Sequence, residues 1–481
     1  MEIKNTGVVD KISDGIIIAH GLSEVGYGEI VKIIGEKGSY TGLVLNLESE
    51  RVGIVVMGDF KDIKAGDMVE VINELPGIKA GEDLLAHVLD GVGNPIDGKE
   101  LVYSKPSRQM PFERIAPGVI DRKDVERPLH TGIMAIDAMI PIGRGQRQLI
   151  IGDRQTGKST IGIDTILNQK DENVICIYVA IGQKASKIAQ MVSELEQKAA
   201  MKNTIILLAS SSDSAAMQFF APYTGTAIAE YFAENGRDVL IIYDDLSKHA
   251  YAYREISLLL ERPPGREAYP GDIFYLHSRL LERSVQYSDT KKAGSITSLP
   301  IVETQAGDLS TYIPTNIISI TDGQIYLESD LFNANHRPAI NVGLSVSRVG
   351  GAAQTKPMKQ VAGQLRLDLA QYRALEAFAQ LGTDLDEATQ KQLDRGARMT
   401  ELLKQDQFNP IPIKEQIVLI YAGTNGFLDE VEVKDITEWK NEFRKHLNKN
   451  HQELLKTIQL DKKIEGELDE KLKKVIADFK L

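Results

Sequence analysis

One short run in the first half of the chain restricts its fold more than any other feature. The run fits the pattern G-x-x-x-x-G-K-[ST] and consists of Gly152, Asp153, Arg154, Gln155, Thr156, Gly157, Lys158 and Ser159. It follows a strand-like apolar run at residues 148–151 and precedes a helix-like run at residues 158–168. Glycines in such a turn let backbone N–H groups point inward around phosphate oxygens, and the helix N-terminus adds its positive end. The motif therefore predicts a phosphate-binding loop between a strand and a helix.

The sequence around this loop alternates between strand-like and helix-like runs. Beyond about residue 128, strand-like runs at residues 174–181, 204–209 and 239–243 are each followed by a helical pattern. Strands that alternate with helices are typical of βαβ units around a mainly parallel sheet. We therefore predict a central α/β domain of the RecA-like, P-loop type.

The two ends of the chain carry different patterns. About six short apolar runs recur between glycines from residue 6 to residue 71, which is typical of a small closed β-barrel. After residue 354 the strand patterns fade and residues 359–381 have a helical pattern. Near the end, apolar residues recur at helical spacing and predict amphipathic helices that pack onto their own domain; they include Ile436, Trp439, Phe443 and Leu447. The predicted domains are a β-barrel domain at residues 1–72, a nucleotide-binding P-loop domain at 73–355 and a helical domain at 356–481.

Composition excludes several classes of protein. The 481 residues include 26% charged and 42% hydrophobic side chains, enough apolar content for several packed cores. A formal net charge of -12 argues against a protein whose main partner is nucleic acid, because that binding depends on Lys and Arg. No apolar run approaches the roughly 20 residues that span a bilayer. Cys176 has no second cysteine for an internal disulfide, so a reducing compartment is expected.

The residue types around the phosphate loop predict a site for a magnesium nucleotide. Lys158 is the type of residue that reaches the β- and γ-phosphates, and the Ser159 hydroxyl is a ligand for Mg²⁺. Thr160 is a further candidate contact in the first helical turn. A later apolar strand ends in Asp244, which is expected to hold Mg²⁺ from the other side through a water molecule. We interpret the adjacent Asp245 as a polar residue at a strand end.

A group that positions the attacking water is also needed for ATP hydrolysis. The strand at residues 174–181 is followed by Gly182 and Gln183, which place an amide at the position where a carboxylate is usual. An amide cannot accept a proton, although glutamine orients water in some GTPases. Gln183 by itself therefore leaves turnover undecided.

Longer runs resemble the α subunit of the rotary F-type ATP synthase over nearly the whole chain. Besides the phosphate loop, these are residues 141–147 (PIGRGQR), 178–184 (YVAIGQK), 242–248 (IYDDLSK), 262–272 (RPPGREAYPGD), 312–316 (YIPTN) and 341–350 (NVGLSVSRVG). The resemblance implies ATP synthesis or hydrolysis coupled to ion transport, with ATP or ADP and Mg²⁺ as cofactors. It also implies an alternating hexamer of three α and three β subunits around a γ shaft.

The resemblance further implies roles for individual residues. In the paralogous β subunit the position that matches Gln183 carries the catalytic glutamate, so the site here is expected to hold Mg-nucleotide without turning it over. The arginine that matches Arg348 reaches the γ-phosphate in the neighbouring β site, an arginine finger supplied in trans. Ser345 is expected to help place that arginine.

The adenine contacts are likewise implied by the resemblance. Arg337 and Pro338 are expected against the base with Phe332 nearby, and Gln405 and Gln407 are expected to approach it from the helical domain.

Contacts with the rest of the complex are also implied. Residues 263–272 are expected to face the γ shaft, as is the acidic turn at residues 384–386. Family members usually carry a longer segment before the barrel that helps dock the peripheral stalk with its δ subunit, so this attachment is expected to differ. The expected location is peripheral, on the cytoplasmic face of a bacterial membrane or the equivalent organellar face, with membrane contact only through the ion-translocating sector.

Two other classes remain open. A catalytic homo-hexameric ATPase of the secretion or flagellar type needs its own glutamate where Gln183 stands. A RecA-like RNA motor similar to the Rho terminator needs a basic N-terminal barrel with stacking aromatics. The barrel region instead offers Tyr27, Tyr40 and Phe60 among mixed charges, so both alternatives are weaker.

Overall fold

The computed structural model of the chain describes residues 5–72, 75–379, 386–460 and 463–480. They form two compact units. The first contains residues up to 124, 145–154 and 173–322, and the second contains residues 125–144, 155–172 and those from 323 onward. Each unit therefore holds part of the predicted P-loop domain.

The first unit begins with a closed antiparallel barrel. Its strands are β1 (Thr6–Ser13), β2 (Ile16–His20), β3 (Ile30–Gly35), β4 (Gly38–Leu47), β5 (Val52–Val56) and β6 (Met68–Ile72). They pair in the order β1-β2-β5-β4-β3-β6. Aliphatic side chains from different strands fill the interior, and Ile17, Val31, Val44, Ile54 and Val69 are fully buried. The predicted small barrel is confirmed.

The remaining strands and helices follow in chain order. The strands are β7 (Gly77–Gly81), β8 (Val88–Asp90), β9 (Ser107–Pro111), β10 (Pro128–Leu129), β11 (Ile142–Gly143), β12 (Leu149–Gly152), β13 (Val174–Gln183), β14 (Thr204–Ser210), β15 (Asp238–Asp244), β16 (Val285–Gln286), β17 (Ser295–Glu303), β18 (Gly323–Leu327) and β19 (Val346–Ser347). The helices are α1 (Met134–Met139), α2 (Lys158–Asn168), α3 (Ala185–Gln197), α4 (Ala215–Glu234), α5 (Leu246–Leu259), α6 (Ile273–Leu281), α7 (Tyr312–Ile320), α8 (Ser329–Asn333), α9 (Lys356–Ala379), α10 (Glu387–Leu403), α11 (Ile413–Thr424), α12 (Ile436–Asn450), α13 (Gln452–Gln459) and α14 (Glu467–Ala477).

A parallel sheet forms the centre of the first unit. Its strands run in the order β8-β14-β13-β15-β17-β12, and the short β16 pairs antiparallel with β17. Because the strands are parallel, their carboxyl ends meet at one edge, and the last residues of four of them are Gly152, Gln183, Asp244 and Glu303. Sheets of this kind bind ligands at that edge. The sheet therefore brings three predicted site residues, Gly152, Gln183 and Asp244, to the same edge.

The later part of the second unit is helical, as predicted. Helix α9 packs against α10 and α11, and α12 packs against α10 and α13. The apolar stripe of α12 is buried, with Ile436, Trp439, Phe443 and Leu447 each at most 4% exposed. The stripe thus packs into its own unit, as the sequence predicts.

Two segments predicted from the sequence extend beyond the described residues. The helix expected at residues 359–381 begins at Lys356 and is described as far as Ala379. Of the expected shaft-facing turn, residues 384 and 385 lie outside the described residues. Asp386 caps α10 by accepting a hydrogen bond from the N–H of Thr389. Within the described ranges, no helix has both the length and the apolar character needed to cross a bilayer.

Candidate nucleotide-binding site

The phosphate-loop motif lies between a strand and a helix, as predicted. β12 ends at Gly152 and α2 begins at Lys158. Between them Gln155 and Gly157 adopt φ angles of 64° and 98°. A left-handed non-glycine residue such as Gln155 is uncommon and is often found where a loop is held for ligand binding. The loop therefore contains left-handed residues and leads directly into a helix N-terminus, as the motif predicts.

Several polar side chains lie in the loop and the first turn of α2. Thr156 and Lys158 are buried, with Lys158 only 7% exposed, while Ser159 and Thr160 are half-buried. Lysine is rarely buried unless its charge meets a partner. Burial of Lys158 is consistent with a lysine that meets phosphate.

The side chains of Asp153 and Arg154 fasten the start of the loop to the segment after β17. Asp153 Oδ1 accepts hydrogen bonds from Thr304 Oγ1 over 2.6 Å and from the N–H of Gly307 over 2.9 Å. Arg154 Nε donates to Glu303 Oε2 over 2.9 Å. These two residues therefore shape the start of the loop through their side chains.

Asp244 is a buried carboxylate at the sheet edge that carries predicted site residues. It is 2% exposed, and its Oδ2 accepts a hydrogen bond from the hydroxyl of Tyr178. Gln183 Nε2 donates to Asp244 Oδ1 over 3.1 Å, and Gln183 Oε1 accepts from Lys187 Nζ over 3.3 Å. The amide of Gln183 is thus oriented from both sides. A carboxylate at position 183 could not donate this hydrogen bond to Asp244.

Asp245 has a structural role, as the sequence interpretation holds. Its Oδ1 accepts a hydrogen bond from the N–H of Lys248 over 2.8 Å and caps the start of α5. Burial, together with the nearby Asp244 and Glu303, raises the pKa of Asp245 to about 7. The cap explains why a second carboxylate follows Asp244 directly.

The residues expected at the adenine lie close to one another in the second unit. The guanidinium of Arg337 is 4.5 Å from the ring centroid of Phe332, which is half-buried. The N–H of Gln405 donates to the carbonyl of Arg337 over 2.8 Å, which holds their two segments side by side. The Gln405 side chain donates to backbone carbonyls and Gln407 is exposed. Pro338, next to Arg337, is half-buried.

A buried carboxylate of α2 connects this segment to the helix that follows the phosphate loop. Asp164 Oδ1 accepts a hydrogen bond from the N–H of Phe408 over 2.6 Å, and Asp164 is 5% exposed. Phe408 has a φ of 59°, so the loop adopts a left-handed residue where this bond forms. Sequence reasoning did not single out Asp164, because nothing in its spacing separates it from an ordinary helix residue.

Arg348 lies in a loop whose backbone is held by neighbouring hydroxyls. Ser345 Oγ donates to the carbonyl of Asn341 over 2.6 Å and accepts from the N–H of Tyr326 over 2.9 Å. Ser347 Oγ donates to the carbonyl of Pro141 over 2.7 Å. Arg348 itself is exposed and has no hydrogen bond or ion pair with any residue that the structure describes. The loop is therefore anchored while its arginine remains available.

Comparison with known proteins places the chain in a family. The model of the ATP synthase alpha/beta family nucleotide-binding domain matches residues 132–347, that of the beta-barrel domain matches residues 4–72, and that of the C-terminal domain of the alpha/beta chain matches residues 354–479. The chain is 55% identical to the ATP synthase subunit alpha of Aquifex aeolicus over 479 residues, which cover 100% of this chain and 94% of that protein. It is also 55% identical to the ATP synthase subunit alpha of Wolinella succinogenes over 481 residues, 100% of this chain and 95% of that protein.

The chain belongs to the ATP synthase alpha/beta family. Both of these relatives are alpha subunits, and within the family the chain groups with the alpha subunits of the F-type ATP synthase. The resemblance stated from the sequence runs is thus confirmed. The order of barrel, nucleotide-binding domain and helical domain in the family models also matches the predicted architecture.

In this member of the ATP synthase family, the structure adds site residues that the sequence analysis did not predict. Glu303 ends β17 beside Gly152, and Lys187 orients the amide of Gln183. Asn341 organises the Arg348 loop, since its Oδ1 accepts from the N–H groups of Gly343 and Leu344. Asn341 is the first residue of the run 341–350, and Glu303 directly follows the largely apolar residues 299–302, so closer attention to the ends of those runs was the available signal.

Proposed function

We propose that this chain is the non-catalytic, nucleotide-binding alpha subunit of an F-type ATP synthase. In this proposal it binds Mg-ATP at its own phosphate loop and supplies Arg348 to the catalytic site of a neighbouring β subunit. The partners are β subunits in an alternating hexamer and a γ shaft, and the complex is attached peripherally to a membrane whose ion-translocating sector it drives or uses.

The observation that carries the non-catalytic role is the environment of Gln183. Its amide donates to Asp244 and accepts from Lys187, and an amide is too weak a base to take a proton from water. A general base needs a group that accepts the proton of the attacking water. The edge of the sheet therefore supports nucleotide binding better than hydrolysis.

The donor set suits a magnesium nucleotide. The hydroxyl of Ser159 and the carboxylate of Asp244 are oxygen ligands of the kind Mg²⁺ prefers, and the ion would neutralise phosphate charge where it binds. Lys158 would meet the phosphates, and Arg337, Pro338 and Phe332 would border the base with Gln405 and Gln407. An aromatic ring beside a guanidinium offers two flat faces, which suit a purine.

The exposed guanidinium of Arg348 supports action on a neighbour. A planar, permanently charged group can bond two phosphate oxygens at once as charge shifts in the transition state. Asn341, Ser345 and Ser347 would fix the backbone on either side, which limits the entropy lost when the arginine engages.

The test uses the full chain alone and then with its partners. The isolated chain should bind Mg-ATP and release almost no phosphate, and the complex with β and γ subunits should hydrolyse ATP. Steady turnover by the isolated chain at ~1 s⁻¹ or more, the lower end of typical kcat values, contradicts the non-catalytic role. That result would favour the catalytic homo-hexamer instead.

A further inference from the structure

Tyr253 joins the two ends of an exposed loop in the first unit. It lies on α5 and is 2% exposed. Its hydroxyl donates a hydrogen bond to Asp272 Oδ2 over 2.6 Å and accepts one from Arg262 Nη1 over 3.2 Å. Arg262 also donates to the carbonyl of Leu45 in the barrel. Residues 262 and 272, which flank the loop 263–271, are therefore held at one buried hydroxyl.

The loop between them has a backbone form that requires support. An antiparallel bridge joins Pro264 and Pro270, and the N–H of Gly265 donates to the carbonyl of Tyr269 over 2.7 Å. Glu267 and Ala268 at the tip have φ angles of 52° and 62°. Two successive left-handed non-glycine residues are disfavoured and persist only where surrounding contacts hold them. Such segments often serve a binding or switching role.

Two cation–π contacts brace the same loop from helices on either side. The guanidinium of Arg254, on α5, lies 4.6 Å from the ring centroid of Tyr269. The guanidinium of Arg266, within the loop, lies 4.9 Å from the ring of Tyr312 at the start of α7. Residues 263–268 nevertheless remain exposed. The loop is thus a preformed projecting surface rather than a buried connection.

Helix α5 connects this loop to the nucleotide edge of the sheet. The helix begins directly after the Asp244–Asp245 pair, and Asp245 caps it. Tyr253 lies eight residues beyond the cap, or about 12 Å along a regular helix. A shift of α5 at its start is therefore carried to the base of the loop without passing through flexible chain.

We propose that Tyr253 is a positioning residue that holds the loop 263–271 in its projecting form and ties that form to the position of Asp244. This rests on the proposed function, in which the loop meets the rotating γ shaft of the complex. A loop that contacts a rotating partner has to keep its conformation as the partner turns. The hydroxyl of Tyr253 holds the two ends of the loop together through its hydrogen bonds with Arg262 and Asp272.

The first test removes that hydroxyl in the full chain. Tyr253→Phe should speed hydrogen exchange at the amides of Gly265, Ala268 and Tyr269 by about tenfold, because two hydrogen bonds at the base are lost. The matched control is Tyr251→Phe on the same helix, whose hydroxyl has no hydrogen bond within the described part of the chain. Unchanged exchange in Tyr253→Phe overturns the proposal.

A double variant tests whether the two groups act together. Asp272→Ala should itself speed exchange at these amides, and the double variant should speed exchange by less than the product of the two single effects, since both changes remove the bond between Tyr253 and Asp272. Asp272→Asn keeps an acceptor for the hydroxyl and should restore most of the protection. Fully additive effects of Tyr253→Phe and Asp272→Ala overturn the claim that Tyr253 acts through Asp272.

The second test uses the assembled complex with β and γ subunits. Tyr253→Phe should lower kcat for ATP hydrolysis by about threefold while KM stays unchanged, and nucleotide binding at the alpha site should match wild type. Faster exchange with wild-type kcat overturns the positioning role. The contact with the shaft is tested separately, by Ala268→Cys in an otherwise wild-type complex with cysteines placed along γ. If no disulfide forms, the shaft contact of the proposed function fails. The exchange experiment still tests whether Tyr253 holds the loop 263–271.

Discussion

The side-chain amide of Gln183 donates to Oδ1 of Asp244 over 3.1 Å, at the edge of the sheet where the phosphate loop begins. Lys187 holds the other end of the same amide. An oriented amide beside a buried carboxylate satisfies that carboxylate without adding charge. The pair therefore supports the proposed non-catalytic role.

Gln183→Glu should make the empty chain less stable as the pH rises. A second carboxylate beside the buried Asp244 raises the pKa of one member of the pair, because two like charges at hydrogen-bond distance repel. When the pKa of a group is raised in the folded state, its contribution to the free energy of unfolding decreases as the pH rises from the unfolded-state pKa to the folded-state pKa. The thermal midpoint of the variant, relative to wild type, should fall between pH 5 and 8, and Mg²⁺ with ATP should restore it.

A matched control for this prediction lies on α10. Gln390 Nε2 donates to Asp394 Oδ1 over 2.9 Å and both residues are exposed, so Gln390→Glu creates the same pair in water. Solvent weakens that repulsion. An equal pH effect in the two variants would show that the burial of Asp244 does not strengthen the repulsion between the two carboxylates.

Lys158→Ala should weaken nucleotide binding at the alpha site by at least about tenfold, because a charge-assisted contact to phosphate is lost. The assembled complex should keep part of its initial hydrolysis rate, since the site is proposed to be non-catalytic. Binding is measured by titration with Mg-ATP and turnover by phosphate release. The exposed Lys170→Ala is the control, and immediate loss of all activity with assembly intact would reverse the proposed roles.

Arg348→Ala should lower hydrolysis by the complex by at least about two orders of magnitude, given that arginine fingers contribute roughly 10³ to 10⁵ in rate. Arg348→Lys should recover little, because a point charge does not reproduce the planar fork. Nucleotide binding at the alpha site should hardly change. The exposed Arg51→Ala serves as the control.

Near-normal turnover in Arg348→Ala would argue against action in trans. So would a loss of nucleotide at the alpha site as large as the loss of rate. Either result would leave Arg348 as an ordinary surface residue.

His277 should make the fold sensitive to acid. It is fully buried, neither ring nitrogen has a hydrogen-bond partner among the described residues, and burial lowers its pKa from 6.5 to about 3. A group with a lowered folded pKa contributes stability above its unfolded value, and this is lost as the pH falls toward the folded value. Between pH 6 and 4 the unfolding free energy should fall by about 1.4 kcal/mol per pH unit through this residue.

The measurement compares denaturant unfolding at several pH values. His277→Phe should show a slope smaller by that amount than the wild-type slope. Equal slopes in wild type and His277→Phe would show that His277 titrates normally in the folded chain.

Local patterns in the sequence were sufficient to predict the elements that carry the site. The phosphate loop needs glycines at set positions, a buried strand needs a continuous apolar run, and α12 needs apolar residues at helical spacing. These requirements act within a few residues. The helix Lys158–Asn168 accordingly has the bounds that the sequence predicts. Long specific runs also sufficed to identify the family.

Only the tertiary structure decided which side chains meet. Gln183 and Asp244 are 61 residues apart in sequence, and they touch because β13 and β15 pair in parallel and end at the same edge. The hydrogen bond from Tyr253 to Asp272 likewise depends on how α5 packs beside the loop 263–271. No local periodicity encodes such contacts, since each depends on strand register and on packing between distant segments. The sequence by itself thus determined the elements and the family, whereas the hydrogen-bond partners of Gln183, Tyr253 and Ser345 came from the packed fold.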